Sequence, residues 1–397
     1  MALSEEDERA FTQRVLDELA HTPYSCSGLT KLSGGTANFL YRGTLLKPLE
    51  GDANEKVAQT LVVKRSTDYV ATNRDFPLDI TRCIFEESMV LALDGIGYAI
   101  TTPSGPSVVT APRLYMFNPD TYTQVHEDFL GATDLTTTLQ STNVDQILPE
   151  SNGRSIGYAL GSWLRFFHNW TSEPAQTALR ERVGPNKSMR QLKCLITYDS
   201  FIEILERHPE TIEGYKETLE AVKSTMKYEF ERPPTEGDEI RGLIHGDFWA
   251  GNVLLPDSSW NDAQQSTQEP HKLIIIDWEN AQFGHRAVDI GGILADLYER
   301  KHFKNIDASI PIMQGFIRGY GPMSEELAFS VAIHAGVHLI CWYYRRNRND
   351  PLPFPLPKVL DALTLGRDFI LKGWAKDKKW FEDSVLAPLF SDNLQPT

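Results

Sequence analysis

The sequence predicts an α+β protein of two lobes: a small antiparallel-sheet lobe crossed by one helix, then a larger, mainly α-helical lobe. Three observations carry this expectation. At 397 residues the chain exceeds the size at which a single hydrophobic core stops growing. Residues 25 to about 130 read as short β-rich runs separated by glycine and polar turns. From about residue 150 onward, apolar side chains recur at the helical period. The division is expected at 130, giving lobes 1–130 and 131–397.

Taken in order, Ser4 and Asp7 precede Phe11, Val15, Leu16 and Leu19, which reads as a capped amphipathic helix with an acidic first turn. "LTKLSGGTANFLYRGTLLK" reads as strand, turn at Gly34–Gly35, strand, and the polar turn "EGDANEK" leads to a third strand, "TLVVKRS". "DITRCIFEESMVLALDGI" is a helix ended by Gly95 and Gly97, and "SVVTAPRLYMFN" and "TQVHEDFLG" are two more strands. Helices then dominate, with "SIGYALGSWLRFFHNW", "IEGYKETLEAVKSTMKYEF", "AFSVAIHAGVHLICWYYRR" and "LPKVLDALTLGRDFILKGW". Strands resume only around "GLIHGDFWAGNVLL" and "KLIIIDWE", and the polar insert between them, residues 256–271, is expected to be an exposed, mobile hairpin loop.

Composition bounds the function. With 41% hydrophobic and 23% charged residues the chain is globular, and 39 basic against 54 acidic side chains leave a net charge of −15, which disfavours nucleic acid as a partner. Cys26, Cys83, Cys194 and Cys341 form no C-x-x-C pair, so neither a disulfide framework nor a zinc cluster is expected, and a reducing compartment is. The start "MALSEEDERAF" has no apolar leader, and no uninterrupted apolar run reaches the ~18 residues of a membrane span. A soluble, cytoplasmic protein without nucleic-acid or membrane partners is the expectation. Neither G-x-S-x-G nor a dinucleotide fingerprint is present, which leaves hydrolase and dehydrogenase readings without support.

One constellation carries chemistry. Phosphoryl transfer needs a glycine turn over the phosphates, a strand lysine held by an acid, a base for the acceptor hydroxyl, and oxygen ligands for Mg2+. Gly34–Gly35, Lys64, then Glu86 or Glu87, then Asp247 and Asn252, then Asp277 occur in that order. A carboxylate within reach of a hydroxyl can take its proton as the bond to phosphorus forms, contributing ~10²–10⁴-fold. The five-residue step from Asp247 to Asn252 lets both side chains converge on one centre. Alone, each residue has a plainer explanation. Lys64 could snorkel from a strand edge, Gly34–Gly35 could be a hairpin turn, Glu87 a solvated helix face, and Asp247 and Asn252 an Asx turn beside a core His245. The common order is what joins them.

"HGDFWAGN", "IDWENAQFGHRAVDIGG" and "EESMVLAL" resemble the aminoglycoside phosphotransferase and choline kinase-like family, including choline, ethanolamine and methylthioribose kinases, over roughly residues 28 to 295. The resemblance implies a protein-kinase-like fold and a kinase that uses ATP and Mg2+ to phosphorylate a hydroxyl of a small molecule: an amino alcohol, an aminoglycoside-like or a sugar-like acceptor. It makes Asp247 the catalytic base, Asn252 and Asp277 the metal ligands, and His245 and Asp289 structural supports. Lys64 would hold the α- and β-phosphates, with Glu87 as its partner because the spacing Glu87-x-x-Val90-Leu91 fits better than Glu86. "VHEDF" would be the hinge, with Val125 and Glu127 beside adenine. Trp249 either walls the acceptor pocket or packs the loop, and Glu279 is expected to read an amine on the acceptor. His168 resembles a family histidine of the acceptor side but is equally a packed helix residue, and His334 and His338 lack the glutamate of a zinc motif. Two rival readings remain, a catalytically silent nucleotide-binding relative and a protein kinase. The first should have lost the base or a metal ligand, and the second should carry H-R-D and A-P-E, which are absent.

Overall fold

The computed structural model describes residues 4–49, 57–233, 235, 237–256, 270–343, 351–352 and 354–391. The turn expected at 50–56 lies outside them, as does the 257–269 part of the expected hairpin loop. The chain forms two compact units, one of Met1–Ile96 with Ala111–Ala132 and one of Gly97–Thr110 with Thr133–Thr397. The sequence boundary at 130 therefore becomes an exchange. The hairpin β6 (Tyr98–Thr102) and β7 (Gly105–Thr110) belongs to the second unit, where β7 pairs in parallel with β13 (His271–Ile275).

In the first unit, Ser4 caps α1 (Glu5–Leu19) by accepting from the Asp7 amide, and Phe11, Val15 and Leu19 form its buried face. Five antiparallel strands follow in the order β1-β2-β3-β9-β8: β1 (Cys26–Lys31), β2 (Phe39–Leu49), β3 (Ala58–Arg65), β8 (Leu114–Asn118) and β9 (Thr123–Glu127). A small hairpin, β4 (Tyr69–Val70) and β5 (Asn73–Pro77), leads into α2 (Arg82–Leu93). "SVVTAPRLYMFN" is not one strand but two, because Ala111-Pro112-Arg113 breaks the run between β7 and β8 and Pro112 has no amide for a ladder. Leu61 and Val63 of β3 and Val125 of β9 pack with the buried face of α1. By the two-residue period of a strand, Lys64 faces the opposite side, where α2 lies.

The second unit is built on helices: α3 (Leu135–Leu139), α4 (Val144–Ile147), α5 (Glu150–Trp170), α6 (Thr177–Val183), α7 (Lys187–Ile196), α8 (Phe201–Glu206), α9 (Pro209–Ile212) and α10 (Lys216–Glu231) precede the loop motifs. After them come α11 (Ala287–Lys304), α12 (Ser309–Tyr320), α13 (Glu325–Tyr343), α14 (Leu356–Trp374) and α15 (Lys378–Phe381). Its sheet has the order β10-β12-β13-β7-β6, with β10 (Thr133–Asp134) and β12 (Val253–Leu255), and a separate ribbon pairs β11 (Arg241–Ile244) with β14 (Gln282–His285). α5 and α12 lie in backbone contact. A methyl group on Gly157 would come within 2.0 Å of the Ile312 carbonyl oxygen, so only glycine permits this approach. The contact brings Tyr320 of α12 to His168 of α5. No helix among the described residues is long and apolar enough to cross a membrane.

Candidate active site

In the first unit the acid that meets Lys64 is Glu86 and not Glu87. Lys64 Nζ lies 2.9 Å from Glu86 Oε1 and 2.8 Å from Oε2, with both side chains buried. Adjacent helical residues point about 100° apart, and Glu86 shares the buried face of α2 with Cys83, Met89, Val90 and Leu93, whereas Glu87 is half-buried one step around. The α2 backbone is fixed from both sides. Gln124 Nε2 donates to the Cys83 carbonyl, and the fully buried Arg82 donates to the Thr67 and Asp79 carbonyls and to Asn38 Oδ1, just after the glycine turn. Gly34 in that turn has φ +111°, a left-handed value that glycine alone adopts readily. The Val125 side chain is fully buried against α1, on the face opposite Lys64. Glu127 ends β9 and accepts from the Arg113 amide through Oε2.

In the second unit the loop between β11 and β12 is braced by α11. Asp289 accepts from the His245 amide at 2.8 Å and the Gly246 amide at 2.9 Å, and Asp296, two turns further along the helix, accepts from the Ala250 amide. His168 is fully buried, with Nε2 3.2 Å from Asp289 Oδ2 and Nδ1 3.1 Å from the Tyr320 hydroxyl, so it supports this brace. Burial pushes its pKa down to about 4, and burial likewise lowers that of His245, so both imidazoles are neutral near pH 7. His245 accepts from the Asp247 amide at Nδ1 and donates from Nε2 to the Ile276 carbonyl, which ties the loop to the residue before Asp277. Gly246 has φ +82°, and a Cβ there would sit 2.2 Å from the Asn280 carbonyl oxygen.

Asn252 Nδ2 donates to the Asp247 carbonyl at 2.9 Å, so the Asn252 side chain turns back on the start of the five-residue step. Asp277 stands at the end of β13 with φ 66° and ψ 63°, a left-handed conformation that costs energy for a non-glycine residue. Its carboxylate and that of the buried Glu279 have oxygens within 4.8 Å of one another. Two carboxylates this close, one of them buried, match the hard-oxygen donor set that a divalent cation takes. The Trp249 ring lies against its own loop, 2.4 Å from where a Gly251 Cβ would be.

Three further residues escaped the sequence. Lys193 of α7 donates to Asp247 Oδ1 at 3.1 Å, Asn186 ahead of α7 donates from Nδ2 to the Glu279 and Ala281 carbonyls, and Asp296 supports Ala250. None has a local motif, since each acts on a segment at least 46 residues away.

Residues 178–304 match the model of the ecdysteroid kinase-like family. The chain is 29% identical over 404 residues to the phosphotransferase FrzJ of Cladobotryum sp, covering 98% of this chain and 99% of that one. It is 20% identical over 318 residues to a 4-hydroxytryptamine kinase of Psilocybe cubensis, covering 80% of each. Among solved structures, amicoumacin kinase hAmiN in complex with AMP-PNP and Ca2+ aligns with TM-score 0.50 at 13% identity, over 93% of this chain and 96% of that one, a likeness of fold. Along nearly its whole length the chain is similar to a phosphotransferase, over most of it to a kinase, and it shares the fold of amicoumacin kinase hAmiN.

Proposed function

We propose that the protein transfers the γ-phosphoryl group of ATP, in a Mg2+-dependent reaction, to a hydroxyl of a small amine-bearing molecule. The observation that carries this reading is Asp247, a partly exposed carboxylate on a loop whose backbone is held by Asp289, Asp296, His245 and Asn252. Asp247 takes the acceptor proton as the acceptor oxygen bonds to phosphorus, and the bond to the departing ADP oxygen breaks with its electron pair leaving on ADP. Asn252, through Oδ1, with Asp277 and Glu279, offers the oxygen ligands for Mg2+, so Glu279 moves from the acceptor to the cation in this account. Bound there, the cation would supply charge compensation on the phosphates. Lys64, held by Glu86, and the amides of Gly34–Gly35 serve the other phosphates.

The amine on the acceptor is supported by the net charge of −15 and by the relative named for 4-hydroxytryptamine. A silent binding protein is disfavoured because Asp247, Asn252 and Asp277 are all in place. Four free cysteines suit a reducing compartment such as the cytoplasm. The test is ADP release from Mg·ATP across a panel of hydroxylated amines, amino alcohols, aminoglycosides and sugars, with 4-hydroxytryptamine and choline included. Asp247→Asn should keep nucleotide binding by calorimetry and lose at least ~10²-fold in kcat, because the base is gone and the loop is unchanged. Parent-like turnover in that variant would remove Asp247 from the mechanism.

A further inference from the structure

Lys193 is a buried lysine, 4% exposed, whose ammonium has Asp247 as its carboxylate partner. Burying a lysine is costly unless its charge is met, so this placement has to be built. The construction is visible in α7. Asn186 stands immediately before the helix, fully buried, and its amide nitrogen donates to the carbonyls of Glu279 and Ala281, which anchors the start of α7 to the segment that follows Asp277. Gly184 packs against the Phe283 ring, and the Phe283 amide donates to the Gly184 carbonyl. Lys193 lies seven residues after Asn186 and therefore two turns along the same face of α7. One helix is thus fixed at its start to the Asp277–Glu279 segment and delivers an ammonium to the Asp247 carboxylate.

We infer that Lys193 is a positioning residue of the transfer: by engaging Asp247 Oδ1 it fixes the rotamer of the carboxylate that takes the proton of the acceptor hydroxyl. This rests on the kinase reading above. The step itself is unchanged: the acceptor proton passes to Asp247, the acceptor oxygen bonds to phosphorus, and ADP leaves with the electron pair. A carboxylate free to turn would present its oxygen only part of the time, so the loss should fall on kcat and not on binding.

The experiment is steady-state ADP release from Mg·ATP by the purified full chain, with the most active acceptor of the panel above and with water as the acceptor. Lys193→Met should lower kcat by ~10²-fold and leave KM for ATP and for the acceptor within about threefold. Lys193→Arg, which keeps a cationic donor, should recover kcat to within about tenfold of the parent. The double variant Lys193→Met with Asp247→Asn should be no slower than Asp247→Asn alone, because the lysine acts through the aspartate. Parent-like kcat in Lys193→Met, or an additive further loss in the double variant, overturns the inference. Should Lys193→Met melt below the assay temperature, Lys193→Arg carries the test, and a folded Arg variant with ~10²-fold lower kcat also overturns it. If Asp247→Asn turns over like the parent, the kinase reading itself has failed, which is a different result.

Discussion

Among the described residues each compact unit buries a lysine against an acid, and the two pairs differ in the acid. Lys64 and Glu86 in the first unit have side chains 7% and 3% exposed; Lys193 and Asp247 in the second are 5% and 30% exposed. The lysines are equally withdrawn from water. Glu86 is enclosed with its partner, whereas Asp247 keeps surface for a substrate. A closed pair suits a fixed cation for phosphate oxygens, and a half-open pair suits a carboxylate that must exchange a proton. Exposure of the acid, more than the presence of the ion pair, separates support from chemistry here.

The largest effect should come from breaking the closed pair. Glu86→Ala leaves the Lys64 ammonium buried without that carboxylate and should cost about 3–5 kcal/mol of stability by urea unfolding. Glu87→Ala, on the half-exposed side of α2, should stay within about 0.5 kcal/mol. The half-open pair should cost less, with Asp247→Asn leaving the buried Lys193 an amide oxygen in place of the carboxylate, losing about 1–2 kcal/mol of stability and removing most of the turnover. Equal stability losses for Glu86→Ala and Asp247→Asn would dissolve the distinction.

The same contrast explains what could be read from the sequence. Asp247, Asn252, Asp277 and Asp289 were legible because each lies in a short motif whose spacing is fixed by one loop or one helix turn. Glu86 was recoverable in principle: Cys83, Glu86, Val90 and Leu93 make a helical stripe, and weighing the family spacing above that stripe led to Glu87. The burial of the Val125 side chain was legible too, since alternation with Gln124 and His126 puts it on the face opposite Lys64. Lys193 was not legible, since it lies 54 residues before Asp247 and reaches it only because Asn186 docks α7 on another segment. The parallel pairing of β7 with β13 was hidden for the same reason, being a contact between distant parts of the chain.

Buried imidazoles extend the comparison. In the first unit His126 is pushed down to about 3, by burial and then by Lys64. In the second, His168 is lowered to about 4 and His285 to about 3, burial being the main cause in each, and His245 is lowered too. The folded protein refuses a proton that the unfolded chain accepts below its ordinary value of 6.5, so this contribution is full above 6.5 and is lost as the pH falls toward the folded values. At pH 5 each of His126, His168 and His285 should have cost about 2 kcal/mol relative to pH 7. His126→Leu should remove one increment from the pH 7 to pH 5 stability difference, measured by urea unfolding. An unchanged difference would mean that the His126 ring is not a neutral buried group.

The smallest effect separates two roles for Glu279. Its carboxylate lies beside that of Asp277 and is 3% exposed, and its backbone carbonyl is held by Asn186, so Glu279→Gln keeps the shape and the anchor while removing one charge. If that charge helps hold Mg2+, the Mg2+ concentration for half-maximal turnover should rise by about tenfold, since a charged ligand is replaced by a neutral one in a hard-oxygen site. The acceptor KM should then stay within about threefold. If Glu279 reads the acceptor amine instead, the pattern inverts: the acceptor KM rises, the Mg2+ requirement holds, and the loss is greatest for amine-bearing acceptors and absent for neutral sugars. Titrating Mg2+ and acceptor in turn on the same variant distinguishes the two. A rise in acceptor KM alone would return Glu279 to the acceptor and leave Asn252 and Asp277 as the cation ligands.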